Sequence, residues 1–258
     1  MKTDFSGLTR EVKEKVAALG ADLVGVADIQ PLKALKVDPP DLLDPYRAAV
    51  CAAVRLPVAV FEHITTGPTQ VYDNVYQTAN RLLDEIAFKT AVFLQGRGFS
   101  SLPVPASQLT DKKGLYGAVS HKAVGRMAGL GWQGKNLLLI TPRYGSRVRL
   151  VTVLTKAPLV FDVPLENRCG ACVECVNACP AGAIKGVNTK DHYKTRNQAV
   201  DMERCYSQLK EFSIMLETCA DKGAPPPENP AFHGLICGIC IKACPFGRYA
   251  GKRAARGA

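Results

Sequence analysis

Seven of the ten cysteines in this chain fall into two strings: Cys169, Cys172, Cys175 and Cys179 ahead of Pro180, then Cys237, Cys240 and Cys244 ahead of Pro245. No other feature constrains the fold as strongly, because thiols at such spacings must be gathered around a common inorganic centre or paired with one another. The first string has the C-x2-C-x2-C-x3-C-P spacing that binds [4Fe-4S] clusters. In that pattern three closely spaced thiolates grip one cubane, and the fourth, beside proline, reaches to a second.

The second string, C-x2-C-x3-C-P, is one ligand short of its own set, and Cys205 and Cys219 both qualify to complete it. If the strings exchange ligands, one cluster takes Cys169, Cys172, Cys175 and Cys244. The other takes Cys179, Cys237, Cys240 and either Cys205 or Cys219. Structural zinc is the competing reading for paired C-x2-C. It does not account for the x2-x2-x3-Pro run, and nothing marks the chain for the oxidising compartment that disulfides require.

With 258 residues the chain can bury a full core and carry a second, smaller module. The formal charge is +10 with every cysteine counted as neutral. Two cubanes with thiolate ligands lower this to about +6. The residue is basic enough to attract an acidic electron donor or a nucleic-acid backbone. The stretch 1–19 lacks the apolar core and cleavage site of an export signal, and no apolar run approaches the roughly 20 residues of a membrane span. A cytoplasmic protein without membrane contact is the expectation.

Leu8, Val12, Val16 and Leu19 recur at helical spacing before Gly20, which predicts a helix over 7–19. Residues 22–29 and 48–57 read as strands, Cys51 being plain core within the second. The pattern over 70–95 predicts a long helix on which Tyr72 and Tyr76 are packing residues. Residues 99–109 are extended, held to an edge by Pro103 and Pro105. Ser120 caps a helix running to about 128. Residues 137–141 and 147–154 read as strands joined by the turn 142–146, and 200–217 as a helix ahead of a proline-rich loop, 224–230. The resulting fold class is α+β, with domain boundaries at 1–165, 166–247 and a basic tail at 248–258.

Between these elements, Gly129-Leu130-Gly131-Trp132-Gln133-Gly134-Lys135-Asn136 satisfies G-x-G-x-x-G and nearly satisfies the phosphate-loop pattern. Both motifs need a strand before the glycines and a helix after them. Here the order is reversed and Asn136 stands where a hydroxyl is required, so nucleotide phosphate is not the ligand. Three glycines around the only tryptophan place backbone against something flat or bulky.

The segment Ala128 to Asn136, then Tyr144-Gly145-Ser146, and the two cysteine strings with Arg204-Cys205-Tyr206-Ser207 between them resemble the epoxyqueuosine reductase family, itself related to the reductive dehalogenases. The resemblance implies a nitroreductase-like α/β domain that binds cobalamin, followed by a bacterial ferredoxin-like module with two [4Fe-4S] clusters. It assigns Gly129, Gly131, Trp132, Gly134, Lys135, Asn136, Gly145 and Ser146 to the corrin, and favours Cys205 as the eighth cluster ligand. Where such reductases carry a segment like D-S-A-P-V-L-E-R, this chain reads Leu115-Tyr116-Gly117-Ala118-Val119-Ser120-His121-Lys122. Tyr116, His121 and Lys122 therefore become the candidate catalytic residues, and tRNA becomes the less favoured substrate. The leading expectation is a cobalamin-dependent iron–sulfur reductase supplied by a low-potential donor of ferredoxin or flavodoxin type. The alternatives are an electron carrier for the corrinoid of a partner protein, a flavin enzyme using FMN, and a tRNA epoxyqueuosine reductase.

Overall fold

The computed structural model describes residues 5–111, 116–218 and 235–248. Leu115, Cys219, the proline-rich loop 224–230 and all of the basic tail except Arg248 lie outside the described residues. In chain order the elements are α1 (Phe5–Ala18), β1 (Leu23–Asp28), β2 (Ala48–Arg55), α2 (Val58–Glu62), α3 (Gln70–Gly96), β3 (Ser101–Val104) and α4 (His121–Met127). They continue with β4 (Trp132–Gln133), β5 (Leu139–Ile140), β6 (Val148–Thr155), α5 (Glu174–Asn177), α6 (Met202–Thr218) and α7 (Ile239–Ala243). Short 3-10 turns stand at Gln30–Ala34 and Arg196–Gln198. The fold is thus mixed helix and sheet, in two compact units.

The first unit comprises residues 1–55, 78–133 and 148–167. Its four-stranded sheet has the order β1-β2-β6-β3 with every pair antiparallel, Val26 facing Val50 and Val50 facing Val153. β2 is central and buried along its whole length except Arg55, which explains why it reads as an unbroken apolar run and not as an alternating one. Pro103 sits in β3, at the sheet's edge, where its missing N–H costs no ladder bond. α1 and α4 pack on this sheet. α1 is tied down by Lys13, whose ammonium lies 2.7 Å from Asp162, while the same carboxylate accepts from the Val26 N–H. Ser120 caps α4 as its sequence suggests, accepting from the Ala123 N–H.

The second unit comprises residues 56–77, 134–147 and 168 onward. A small core of Leu137, Ala183, Ile184, Tyr193, Ala199 and Val200 lies beneath Cys175, Cys179, Cys205 and Cys240. α6 begins where Asp201 accepts from the Arg204 N–H, so the cap sets Cys205 in the first turn of the helix.

Residues 137–141 and 147–154 do not pair with each other, contrary to the sequence pattern. The neighbours of β6 in its sheet are β2 and β3. The intervening turn closes on itself, with Thr141 and Gly145 exchanging both backbone hydrogen bonds at 2.9 Å and the Thr141 hydroxyl donating to the Gly145 carbonyl. A turn so self-contained has no need of a hairpin ladder.

Candidate metal centre

Cys169, Cys172, Cys175 and Cys244 line one cavity with Lys135, Asn136, Ile140, Pro245 and Phe246. Among the described residues no three His, Cys, Asp or Glu side chains close on a point that a single ion would occupy. Four cysteines lining one cavity form a thiol-rich site of the kind that holds a metal centre.

Cys179, Cys205, Cys237 and Cys240 form a second gathering. Cys240 is influenced by Cys237, Cys175, Cys205 and Cys179 in turn, and Cys237 by Cys205 and Cys179. Cys175 belongs to the first cavity and also acts on Cys240, so the two sets are neighbours. Each string contributes to both sets, the arrangement that ligand exchange requires.

Burial governs the chemistry of these thiols. Desolvation, reinforced by Cys244, Cys169 and Cys172, pushes the Cys175 thiol up to about 11. Desolvation likewise pushes Cys237 up to about 11 and raises Cys240 and Cys244. Metal-free, these groups hold their protons at neutral pH. A metal that took these thiols as ligands would displace their protons, so its apparent affinity would rise with pH.

Two cationic residues hold the cysteine loops in place. The Lys135 ammonium, in a residue 5% exposed, donates to the carbonyls of Gly170 (2.9 Å) and Cys172 (3.0 Å). Arg147, 3% exposed, donates to the carbonyls of Phe246 (2.7 Å), Lys242 (3.0 Å) and Cys244 (3.2 Å), closing the C-terminal end of α7. Burial lowers the affinity of this guanidinium for its proton, and the adjacent Cys244 works the other way. Gly145, at φ +59°, lets the turn approach so closely that a Cβ there would lie 2.0 Å from the Phe246 carbonyl oxygen. Gly247 makes the reciprocal approach to Tyr144. The sequence directs attention to Gly145 and Ser146 but not to Arg147, Ile140, Phe246 or Tyr193. The only signal for Arg147 is a charge at the mouth of an apolar strand.

The residues that the resemblance assigns to the corrin fall into two groups. Gly129, Gly131 and Trp132 belong to the first unit, where Trp132 is buried. Gly134, Lys135, Asn136, Gly145 and Ser146 belong with the cysteines. Gly134 permits a tight turn in which a Cβ would meet Ile140 at 2.7 Å and the Asn136 amide oxygen at 2.9 Å. The turn ends at Leu137, whose φ of +63° is strained for a side chain other than glycine or asparagine. That strain keeps Leu137 in the core under the cysteines.

Tyr116, His121 and Lys122, the candidate catalytic residues, all lie in the first unit. Lys36 sits 4.3 Å from the centre of the Tyr116 ring and is also paired with Asp111. Lys122 is in the first turn of α4. His121 is half-buried and both its ring nitrogens are engaged: Nδ1 pairs with the Thr152 hydroxyl at 2.8 Å and Nε2 with the Pro105 carbonyl at 2.9 Å. Since a carbonyl only accepts, Nε2 carries the proton and Nδ1 accepts from Thr152. Desolvation is the main cause that lowers the imidazole to about 4, opposed by the Pro105 contact and assisted by Arg149 and Lys122. Cys51, pushed up to about 12 by burial, is an inert core thiol.

The His121 geometry carries a pH prediction. Above its ordinary value of 6.5 the ring is neutral in both folded and unfolded chains, and its contacts contribute fully. As pH falls from 6.5 through 4, the unfolded chain takes up a proton that the folded one refuses, and stability is lost. Wild type should lose up to roughly 3 kcal/mol more than His121→Gln across this range. Denaturant unfolding of both proteins at pH 7 and pH 4 measures the difference, and parallel curves would remove the assignment.

No family model matches the chain. It is 50% identical over 132 residues to an epoxyqueuosine reductase of Listeria monocytogenes, a match covering 51% of this chain and 31% of the relative. It is 46% identical over 135 residues to that of Bacillus subtilis, covering 51% and 30%. The match thus spans about a third of the length of these relatives. Among solved structures, an epoxyqueuosine reductase with a tRNA-Tyr epoxyqueuosine-modified stem loop superposes with a TM-score of 0.59 at 23% identity, covering 96% of this chain and 67% of that one. A catabolic reductive dehalogenase bound to 3-bromo-4-hydroxybenzoic acid gives 0.70 at 22% identity, covering 97% and 34%. Among the described residues no helix is long and apolar enough to cross a membrane. In sequence this chain is similar to the epoxyqueuosine reductases, and its mixed helix-and-sheet fold is the one that they and the reductive dehalogenases share.

Proposed function

We propose that this chain is an iron–sulfur reductase that passes low-potential electrons through two [4Fe-4S] clusters to a bound cobalamin, and that its substrate is the epoxide of epoxyqueuosine in tRNA. The observation that carries the reading is the cavity lined by Cys169, Cys172, Cys175 and Cys244, with Cys179, Cys205, Cys237 and Cys240 gathered beside it. One-electron centres in series suit delivery from a surface donor of ferredoxin or flavodoxin type to a buried acceptor. On this reading the first unit is the nitroreductase-like cofactor domain and the second holds the ferredoxin-like module.

Cobalamin, when bound, supplies a strong nucleophile and reductant, and the protein supplies binding, orientation and the exclusion of water. Gly129, Gly131 and Trp132 are the residues proposed to lie against it. Lys135 and Asn136 serve the cysteine loops in this reading. Tyr116 is the proposed proton donor, because both nitrogens of His121 are engaged. The sequence ranks tRNA low, because Leu115 and His121-Lys122 replace acidic and basic residues of the family pattern. The relatives' names reverse that ranking, and a chain of formal charge +10 suits a phosphate backbone. The substitution at Leu115 favours one second reading, an electron carrier that reduces the corrinoid of a partner.

The test is anaerobic purification with iron, sulphide and cobalt analysis, spectra with and without added cobalamin, and an assay on a stem loop carrying epoxyqueuosine. About eight irons per chain, a corrinoid spectrum that shifts on binding, and loss of the epoxide support the proposal. A flavin spectrum would replace cobalamin by FMN. Cluster-to-corrin electron transfer without turnover, unaffected by Tyr116→Phe, would favour the carrier.

A further inference from the structure

We infer that Asn136 and Ser146 are hydrogen-bond donors to the sulphurs of the cluster held by Cys169, Cys172, Cys175 and Cys244, and that they raise its reduction potential relative to the other cluster. The inference rests on the cluster reading above and deepens it.

Asn136 lines the four-cysteine cavity and is 7% exposed. Its amide orientation follows from the local turn. The Leu138 N–H donates to the side-chain oxygen at 3.2 Å, a role the amide nitrogen cannot fill. Nδ2 is therefore on the other side of the amide, where it is buried and finds no partner. A buried N–H left unpaired costs about 1–3 kcal/mol, which is rarely tolerated without a use. Gly134 makes room for this arrangement, since a Cβ there would press to 2.9 Å from the amide oxygen.

Ser146 repeats the pattern from the opposite loop. It is 3% exposed and its hydroxyl is buried without a well-formed hydrogen bond. The group it favours electrostatically is the ionised sulphur of Cys244, a member of the same cavity. A buried N–H with no acceptor among the described residues and a buried hydroxyl directed at the Cys244 sulphur thus stand beside the cavity lined by four cysteines. Thiolates and bridging sulphides accept hydrogen bonds, and such bonds are among the determinants of cluster potential. Reduction adds negative charge to the cluster, so each donor stabilises the reduced state.

The experiment is an anaerobic redox titration followed by electron paramagnetic resonance, on wild type, Ser146→Ala, Ser146→Thr and Asn136→Leu, each with its iron content measured. Ser146→Ala should keep the wild-type iron content and lower the potential of one cluster. A shift of about tenfold against reduction, equivalent to about 59 mV for one electron, is expected, with the second cluster unchanged. Ser146→Thr, which keeps the hydroxyl, should return the potential towards wild type. Asn136→Leu should shift the same cluster in the same direction. If it loads iron poorly, the Ser146 pair decides alone. Unchanged potentials at full iron content, or a shift shared by both clusters, would overturn the inference and leave the cluster reading intact. Wild-type protein without two reducible clusters would overturn both.

Discussion

Arg147→Met should leave the chain with about half its iron, about four atoms in place of about eight, and should destabilise it by on the order of 3–5 kcal/mol. The guanidinium donates to three carbonyls at the end of α7 and in the Cys244 loop, and of these only that of Lys242 has a further donor, Arg248. Methionine matches its length and apolar stem but donates nothing, so the Phe246 and Cys244 carbonyls lose the guanidinium while the Lys242 carbonyl keeps only Arg248. Arg147→Lys should recover little, because one ammonium cannot reproduce a planar fork that spans three acceptors. Iron and acid-labile sulphide per chain, together with thermal unfolding, measure both effects. A lysine variant equal to wild type in iron and unfolding temperature would mean that the clamp is incidental.

Pairs of cysteine replacements should be non-additive in a way that identifies which thiols share a cluster. Cys175→Ala and Cys244→Ala line one cavity, so each alone, and both together, should reduce iron from about eight atoms to about four. Cys244→Ala combined with Cys205→Ala removes a ligand from each set and should leave almost none. Cys51→Ala should retain the full complement, since that thiol lies in the sheet. Cys219→Ala should do the same if Cys205 is the eighth ligand. Iron analysis read against loss of the two paramagnetic signals checks the pattern. Full iron in Cys205→Ala with loss in Cys219→Ala would reassign the ligand.

Much of the architecture is legible in residue order because local signals coincide with what the fold needs. The helix over 70–95, the buried run of β2, the edge assignment of Pro103 and the Ser120 cap each follow from a single physical rule, and each is found within a residue or two of its expected place. The spacing of Cys169, Cys172 and Cys175 points to a shared site, and the three line one cavity with Cys244. Other features were not legible. The pairing of β6 with β2 and β3, and not with 137–141, depends on long-range contacts that the turn's appearance conceals. The environment of His121 also escaped the sequence, since helical phase places it on a first turn but does not reveal that Pro105 and Thr152 enclose it. The contacts of Lys135 with the Gly170 and Cys172 carbonyls, and of Gly145 with Phe246, also lie beyond what residue order shows, because they join segments far apart in the chain.

The four-cysteine cavity takes three of its cysteines from a short stretch ending at Cys175 and the fourth from Cys244. During synthesis, a ribosome that has delivered the first string has produced thiols with nowhere to close. On the cluster reading, the first centre cannot close until Cys244 has left the exit tunnel. A premature stop anywhere between the strings should produce not a protein with one centre but a thiol-rich fragment lacking both.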